Sequence, residues 1–326
     1  MDKERAQILK MLDEEKITAE EATQLLQALK KAEASQVQEW KSQERWSFFD
    51  WIASLFGAGD SFSEELDWTL DGAEVSLIRA QTDNGSISLG GSDRDQVTVR
   101  ARKKVRAPTE AAAKEFARQV QIHVERNGNE VHIYKEHPRP PLGTGVCVSY
   151  EISSPRDVDA DLCTSNGPIR IHEVDGEIEA VTSNGAIELQ GGAGTVNLRT
   201  SNGGIQLQDA MGHVHAETSS GKIEALVSQL KEGVFSTSNG SITVGVRDGN
   251  APLTAKTSNG SIHVALPANF SGQLDARTTN GRVSSELPVS MAEGTKNRLV
   301  GQIGEGGETA VNLRTLNGSI YLRAQQ

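Results

Sequence analysis

Two glutamates are the first candidates for chemistry. Glu188 and Glu224 hold the same place in two copies of a recurring phrase, six residues after its threonine. Paired carboxylates do acid–base work on glycosidic bonds, and an inverting pair stands roughly 6.5–9.5 Å apart. If the copies stack as strands, two rungs separate these carboxylates by about 10 Å, just beyond that range. The full column reads Arg170, Glu188, Gln206, Glu224, Thr243, His263, Ser284 and Tyr321. Its mixed charge fits a ladder that avoids like-charge neighbours better than a catalytic pair. No catalytic residue is assigned, and the expectation is a protein that is not an enzyme.

The other chemistry-bearing groups are sparser. His213 and His215 share one strand face at i, i+2, with His263 on another, and no third ligand stands in phrase with them. Cys147 and Cys163 form neither a CxxC pair nor a disulfide framework. The expectation is no metal and no cofactor. Arg100, Arg102, Lys104 and Arg106 alternate along one strand face, with Lys103 opposite. Such a stripe suits anionic lipid or cell-wall polymer, but it also protects an edge strand from aggregation, and that reading is favoured.

What must position these groups is a repeat. Nine copies of Thr, a small polar residue, Asn, Gly, any residue, then Ile or Val can be aligned. Their corners are Asn84-Gly85, Asn166-Gly167, Asn184-Gly185, Asn202-Gly203, Ser220-Gly221, Asn239-Gly240, Asn259-Gly260, Asn280-Gly281 and Asn317-Gly318. Glycines through the middle lie 18 to 21 residues apart, with a gap of 82 before and one of 37, about two periods, at the end. Apolar pairs flank each corner with a spacing of two, such as Val196/Leu198 before and Ile205/Leu207 after. That alternation predicts two short strands per repeat, each with one buried face. Isolated Asn-Gly hairpins are an alternative, but a near-constant period is better explained by stacked coils. The expected fold is mostly β: a β-solenoid, or β-helix, of 18–21-residue coils. Asn-Gly is expected to supply positive φ at each corner.

The long first gap carries an insertion at about 92–156. An Ala-rich helix is expected from Thr109 to Val120, with strands near 120–125, 130–135 and 146–152, capping one end of the solenoid. The domains are therefore a helical hairpin at 1–34, a linker with an aromatic amphipathic helix at 35–68, and the solenoid at 69–326.

The ends differ in character. Ile8, Leu12, Ile17, Leu25, Leu26 and Leu29 have helical spacing, and Thr18 with Glu21 makes a capping box, so two short helices are predicted. A hairpin of this size is too small to be stable alone and pairs with itself, a partner or the rest of the chain. Eight of the 14 aromatic residues fall between Trp40 and Trp68. The run from Trp46 to Phe56 plots as a helix whose apolar arc holds Trp46, Phe48, Phe49, Trp51, Ile52, Leu55 and Phe56, with Ser47, Asp50 and Ser54 opposite. With Trp40 it suits a headgroup region or a partner protein, or it plugs the solenoid's open end. With 33 basic against 44 acidic residues and a net charge of -11, the chain lacks the basic footprint of a general nucleic-acid binder. No apolar stretch approaches the length of a membrane span and no leader pattern follows Met1, so the expected place is the cytoplasm, at the inner face of the membrane, with surface exposure by an unrecognised route left open.

The hairpin sequence from Ile8 to Leu29 resembles the SHOCT-like hairpin of bacterial envelope-associated proteins. Followed by repeated Thr-Ser-Asn-Gly-x-Ile, it resembles the putative-adhesin β-strand-repeat family, with its YvlB-like and LiaX-like cell-envelope stress proteins. The resemblance implies a β-solenoid without catalytic activity that senses or modulates envelope stress beside a membrane signalling protein. The leading expectation is a non-enzymatic peripheral membrane or envelope-stress binding protein. Alternatives are a self-assembling filament or homo-oligomer joined through solenoid ends or hairpin, and a surface adhesin or carbohydrate-binding protein.

Overall fold

Alternation of period two runs through nearly every segment between Asp60 and Ala324, and each such segment is a strand. The computed structural model describes residues 60–325. The strands form one sheet, nearly closed around an aliphatic interior, and they fall into two ladders.

The first ladder runs β1 (Asp60–Asp71), β4 (Gln96–Ala107), β7 (Gly145–Pro155), β3 (Ile87–Ser92), β9 (Ile169–His172), β11 (Ile187–Gln190), β13 (Ile205–Thr218), β14 (Ile223–Asn239), β15 (Ile242–Asp248), β17 (Ile262–Leu266), β23 (Ile320–Ala324) and β19 (Val283–Ser285). The second runs β5 (Gln121–Asn127), β6 (Glu130–Glu136), β2 (Leu77–Asn84), β8 (Asp159–Asn166), β10 (Gly176–Thr182), β12 (Ala193–Thr200), β13, β14, β16 (Leu253–Asn259), β22 (Ala310–Asn317), β18 (Gly272–Asn280), β21 (Arg298–Ile303) and β20 (Val289–Thr295). The long strands β13 and β14 belong to both and join them. Through the repeats the pairing is parallel and in phase: Ile187 stands beside Ile205, and Ile205 beside Ile223. These branched side chains are at most 2% exposed, which is the burial that drives the stacking.

Chain order and ladder order part company at the C-terminal end. The 37-residue gap reads as two periods, yet the last coil does not follow the one before it. β22 lies between β16 and β18, and β23 between β17 and β19. The intervening residues form β20 and β21, an antiparallel extension that covers the outer edge of β18.

The insertion adds strands at the other end, with β4 and β7 beyond β3 and β6 and β5 beyond β2. Its helix α1 (Glu110–Ala117) is capped by Thr109, whose hydroxyl accepts from the Ala112 N–H at 3.2 Å. It buries Ala113, Phe116 and Ala117, and ends at Ala117 rather than Val120 because the Val120 N–H turns back to the Ala117 carbonyl. The sheet begins at Asp60, inside the stretch expected to be linker. Phe62, Leu66, Trp68 and Leu70 are half-buried on one face of β1, and β4 supplies its pairing partners.

Candidate functional site

Each corner is built by three residues with different tasks. The threonine turns inward and its buried hydroxyl donates to the glycine carbonyl of the neighbouring corner, as Thr200 does to Gly185 and Thr218 to Gly203, both at 2.9 Å. A buried hydroxyl without such a partner is costly, so the bond fixes the side chain's direction. The asparagine turns outward and its amide donates to the Oδ1 of the asparagine one rung away: Asn166 to Asn84, Asn184 to Asn166, Asn202 to Asn184, then Asn259 to Asn239, Asn317 to Asn259 and Asn280 to Asn317, at 2.7–2.9 Å. Ser220 interrupts this column between Asn202 and Asn239.

The glycines answer to packing more than to φ. Only Gly85 and Gly318 among the repeat corners have positive φ, at 146° and 153°. At Gly167, Gly185, Gly203, Gly221, Gly240, Gly260 and Gly281 an added Cβ would fall 1.7–2.0 Å from the carbonyl oxygen of the neighbouring corner. The expectation of positive φ throughout is thus corrected: the corner backbones approach too closely for any side chain.

The outward column of the candidate glutamates is now explicit. Arg170, Glu188, Gln206, Glu224, Thr243, His263, Tyr321 and Ser284 follow in that order on the first ladder. Arg170 holds Glu188 at 3.1 Å and Lys222 holds Glu224 at 3.0 Å. His263 and Tyr321 stack with ring centroids 4.8 Å apart and planes at 13°, a neighbour relation that exists only because β23 is intercalated beside β17. Beside this column opens a shallow groove of about 250 Å³, lined by Gln206, Gln208, Glu224, Thr243, Gly245 and His263 together with the ends of β17 and β23.

Two members of the basic stripe are engaged within the sheet. Arg100 bonds Asp67 at 2.9 Å and Arg102 bonds Glu65 at 2.8 Å. These charges face β1, and β4 lies between β1 and β7, so β4 is not the edge strand expected from its charges. The edge is β1. Lys103, on the opposite face, is buried and donates to the carbonyls of Ala117 and Val120 at 2.9 and 3.2 Å while pairing with Glu64 at 2.8 Å. It ties the end of α1 to two strands, a task that the alternation of its neighbours did not reveal.

His213 lies 3.6 Å from Glu232 and His215 3.9 Å from Glu217, both on the outer face of the second ladder. Among the described residues no three of His, Cys, Asp or Glu converge as a metal would need. Cys147 and Cys163 are both free thiols. Burial, with Asp161 second, pushes the Cys163 thiol above its ordinary range. Burial also pushes the Tyr150 phenol up, and that hydroxyl has no hydrogen-bond partner among the described residues.

The expected docking residues Trp40, Trp46, Phe48, Phe49, Trp51, Ile52, Leu55 and Phe56, and the hairpin residues Ile8, Leu12, Ile17, Leu25, Leu26 and Leu29, lie outside the described residues. Two members of the aromatic cluster do not: Phe62 and Trp68 pack against the core from β1. No helix among the described residues is long and apolar enough to cross a membrane.

Comparison with known proteins adds two family matches. Residues 3–34 match a SHOCT-like domain, and residues 212–325 match a domain of unknown function, DUF7330. No curated protein matches the chain. Among solved structures, a putative adhesin from Bacteroides fragilis shares 14% identity at a TM-score of 0.42, covering 79% of this chain and 97% of its own. A putative lipid binding protein from Parabacteroides distasonis shares 11% at 0.41, covering 81% and 97%. A putative adhesin from the same organism shares 14% at 0.38, covering 82% and 98%.

Proposed function

We propose that this protein is a non-enzymatic binding protein of the bacterial cell envelope, related in role to the YvlB-like and LiaX-like stress proteins. In this reading the two ladders are faces of one β-solenoid, a rigid body that presents outward side chains at a fixed rung spacing. The carrying observation is the in-phase column from Arg170 to Ser284, whose carboxylates are tied to cations and whose interior counterpart is continuous aliphatic packing. Its ordered surface suits recognition, and the paired Glu188 and Glu224 do not form the acid and base of a hydrolase.

Membrane association at the inner face is assigned to residues 40–56. Arg100 and Arg102 of the basic stripe are engaged by Asp67 and Glu65 and are not assigned to the lipid contact. The SHOCT-like hairpin supplies the contact to itself or to a membrane signalling protein. Growth by edge addition is disfavoured at the β1 end, where Asp60, Glu64, Glu65, Asp67 and Asp71 lie along the edge strand. Flotation of the full chain with anionic liposomes tests the assignment. Binding should vanish when Trp46, Phe49 and Trp51 are all changed to Ser, and unchanged flotation refutes the membrane role of this segment.

A further inference from the structure

The groove beside His263 has the construction of a ligand site. Its floor is low because Gly245 has no side chain and stands beside the small Ala265, with the short Thr243 two residues before it on the same strand. One wall is Glu224 and Leu226, one rung away on β14. The other is His263 on β17, with Arg323 and Gln325 reaching in from the last coil. Gly245 marks the narrowest point: a Cβ there would lie 3.0 Å from Leu226 Cδ1 and 3.1 Å from Gln325 Oε1.

The orientation of the imidazole follows from the register. His263 stands between Thr243 and Tyr321, and Tyr321 covers the imidazole face turned away from Thr243. The other face therefore looks over the floor. Tyr321 is itself 43% exposed, and only Leu316 among the large apolar side chains of the described residues is more so. Around this aromatic face lie amides (Gln206, Gln208, Gln325), a carboxylate (Glu224) and a guanidinium (Arg323). An aromatic face attracts the weakly positive C–H groups of an otherwise polar ring, while amides and charged groups exchange hydrogen bonds with hydroxyls. Apolar ligands would leave those polar groups unpaired.

We propose that this groove binds a short segment of a glycan chain, one sugar ring lying against His263 and the hydroxyls of the segment bonded to Gln206, Glu224 and Arg323. The site is completed by the intercalated coil, which brings Tyr321, Arg323 and Gln325 to residues some sixty positions earlier. The proposal rests on the binding-protein reading and gives its solenoid a ligand class.

The experiment is an NMR titration of the full chain with N-acetylchitotetraose and maltotetraose, following the His263 and Tyr321 ring resonances up to about 10 mM, a range that captures weak recognition. At least one saccharide should shift both rings. Gly245→Val, which fills the floor against flexible side-chain ends, and His263→Ala should each weaken binding at least about tenfold, whereas Tyr321→Phe should retain it. Wild-type melting temperatures for these variants exclude unfolding as the cause. No shift with either saccharide, or full binding by Gly245→Val, overturns the groove. Release of reducing ends in the same samples would instead refute the non-catalytic reading, and flotation of the Trp46, Phe49 and Trp51 variant as strong as that of the wild type would refute the membrane assignment, each leaving the groove standing.

Discussion

Asn317 donates its side-chain amide to Oδ1 of Asn259 at 2.8 Å, across 58 residues of sequence. On its other side it accepts the same bond from Asn280, again at 2.8 Å. The final coil is therefore wedged between two coils made before it, and it closes two strand edges at once. Its Val311, Leu313, Ile320 and Leu322 are each at most 1% exposed and continue the interior columns without a break.

Deleting residues 310–326 should consequently do more than fray an end. Each of those four side chains is worth about 1.5–3 kcal/mol of burial, so their loss approaches the whole stability of an ordinary domain. The shortened chain is expected to lose its cooperative thermal transition and to bind a hydrophobic dye. A deletion mutant that melts at the wild-type temperature would show that the coil is not intercalated.

The sequence makes the columns plain because burial has a local signature: Ile187, Ile205 and Ile223 each follow a corner at the same distance. It does not reveal neighbour order. Val311/Leu313 alternate just as Leu274/Ala276 do, so either pair fits beside Leu253/Ala255. The strand β1 is hidden for another reason, since Glu64 and Glu65 interrupt its alternation. The partners of Arg100 and Arg102 stand 33 and 37 residues upstream in that same strand, so β4 reads from its charges as an edge strand. The groove is illegible for the same reason as the coil that completes it.

Corner glycines offer a sharp contrast between steric and conformational demands. A Cβ at Gly203 would lie 1.7 Å from the Gly185 carbonyl oxygen, whereas one at Gly90 would meet nothing closer than the Ile152 oxygen at 4.0 Å. Gly203→Ala is expected to cost more than about 4 kcal/mol in urea denaturation, and Gly90→Ala to stay within about 1 kcal/mol of wild type. Equal effects at the two sites would remove close backbone approach as the reason for glycine at the corner.

The single gap in the outward amide column can be filled. Thr218 pairs with Thr237 and Asn202 sits one rung below Ser220, so Ser220→Asn places a carboxamide between Asn202 and Asn239. Two new amide bonds on an exposed face should together add about 0.5–1.5 kcal/mol, raising the melting temperature by calorimetry. A fall in melting temperature would mean that the serine is there to relieve strain in the ladder.

Cys163 provides a probe of burial with a definite sign. Its thiol is pushed up first by burial and then by the carboxylate of Asp161, with Asp83 and Glu179 adding to it. A raised folded-state pKa keeps the neutral thiol to higher pH, so less thiolate is present at any given alkaline pH than in the unfolded chain. In a Cys147→Ser background, the alkylation rate with iodoacetamide should therefore rise at higher pH for the folded protein than for the same chain in urea. By linkage, the neutral thiol's contribution to stability is fully present below the unfolded pKa and is lost as pH rises through the folded one. Asp161→Asn should move the folded profile only part of the way back, because burial is the larger cause. Coincident profiles for folded and unfolded chains would contradict the half-buried position of Cys163 on the face it shares with Asp161, whose ion pair with Arg79 meets at 2.9 Å.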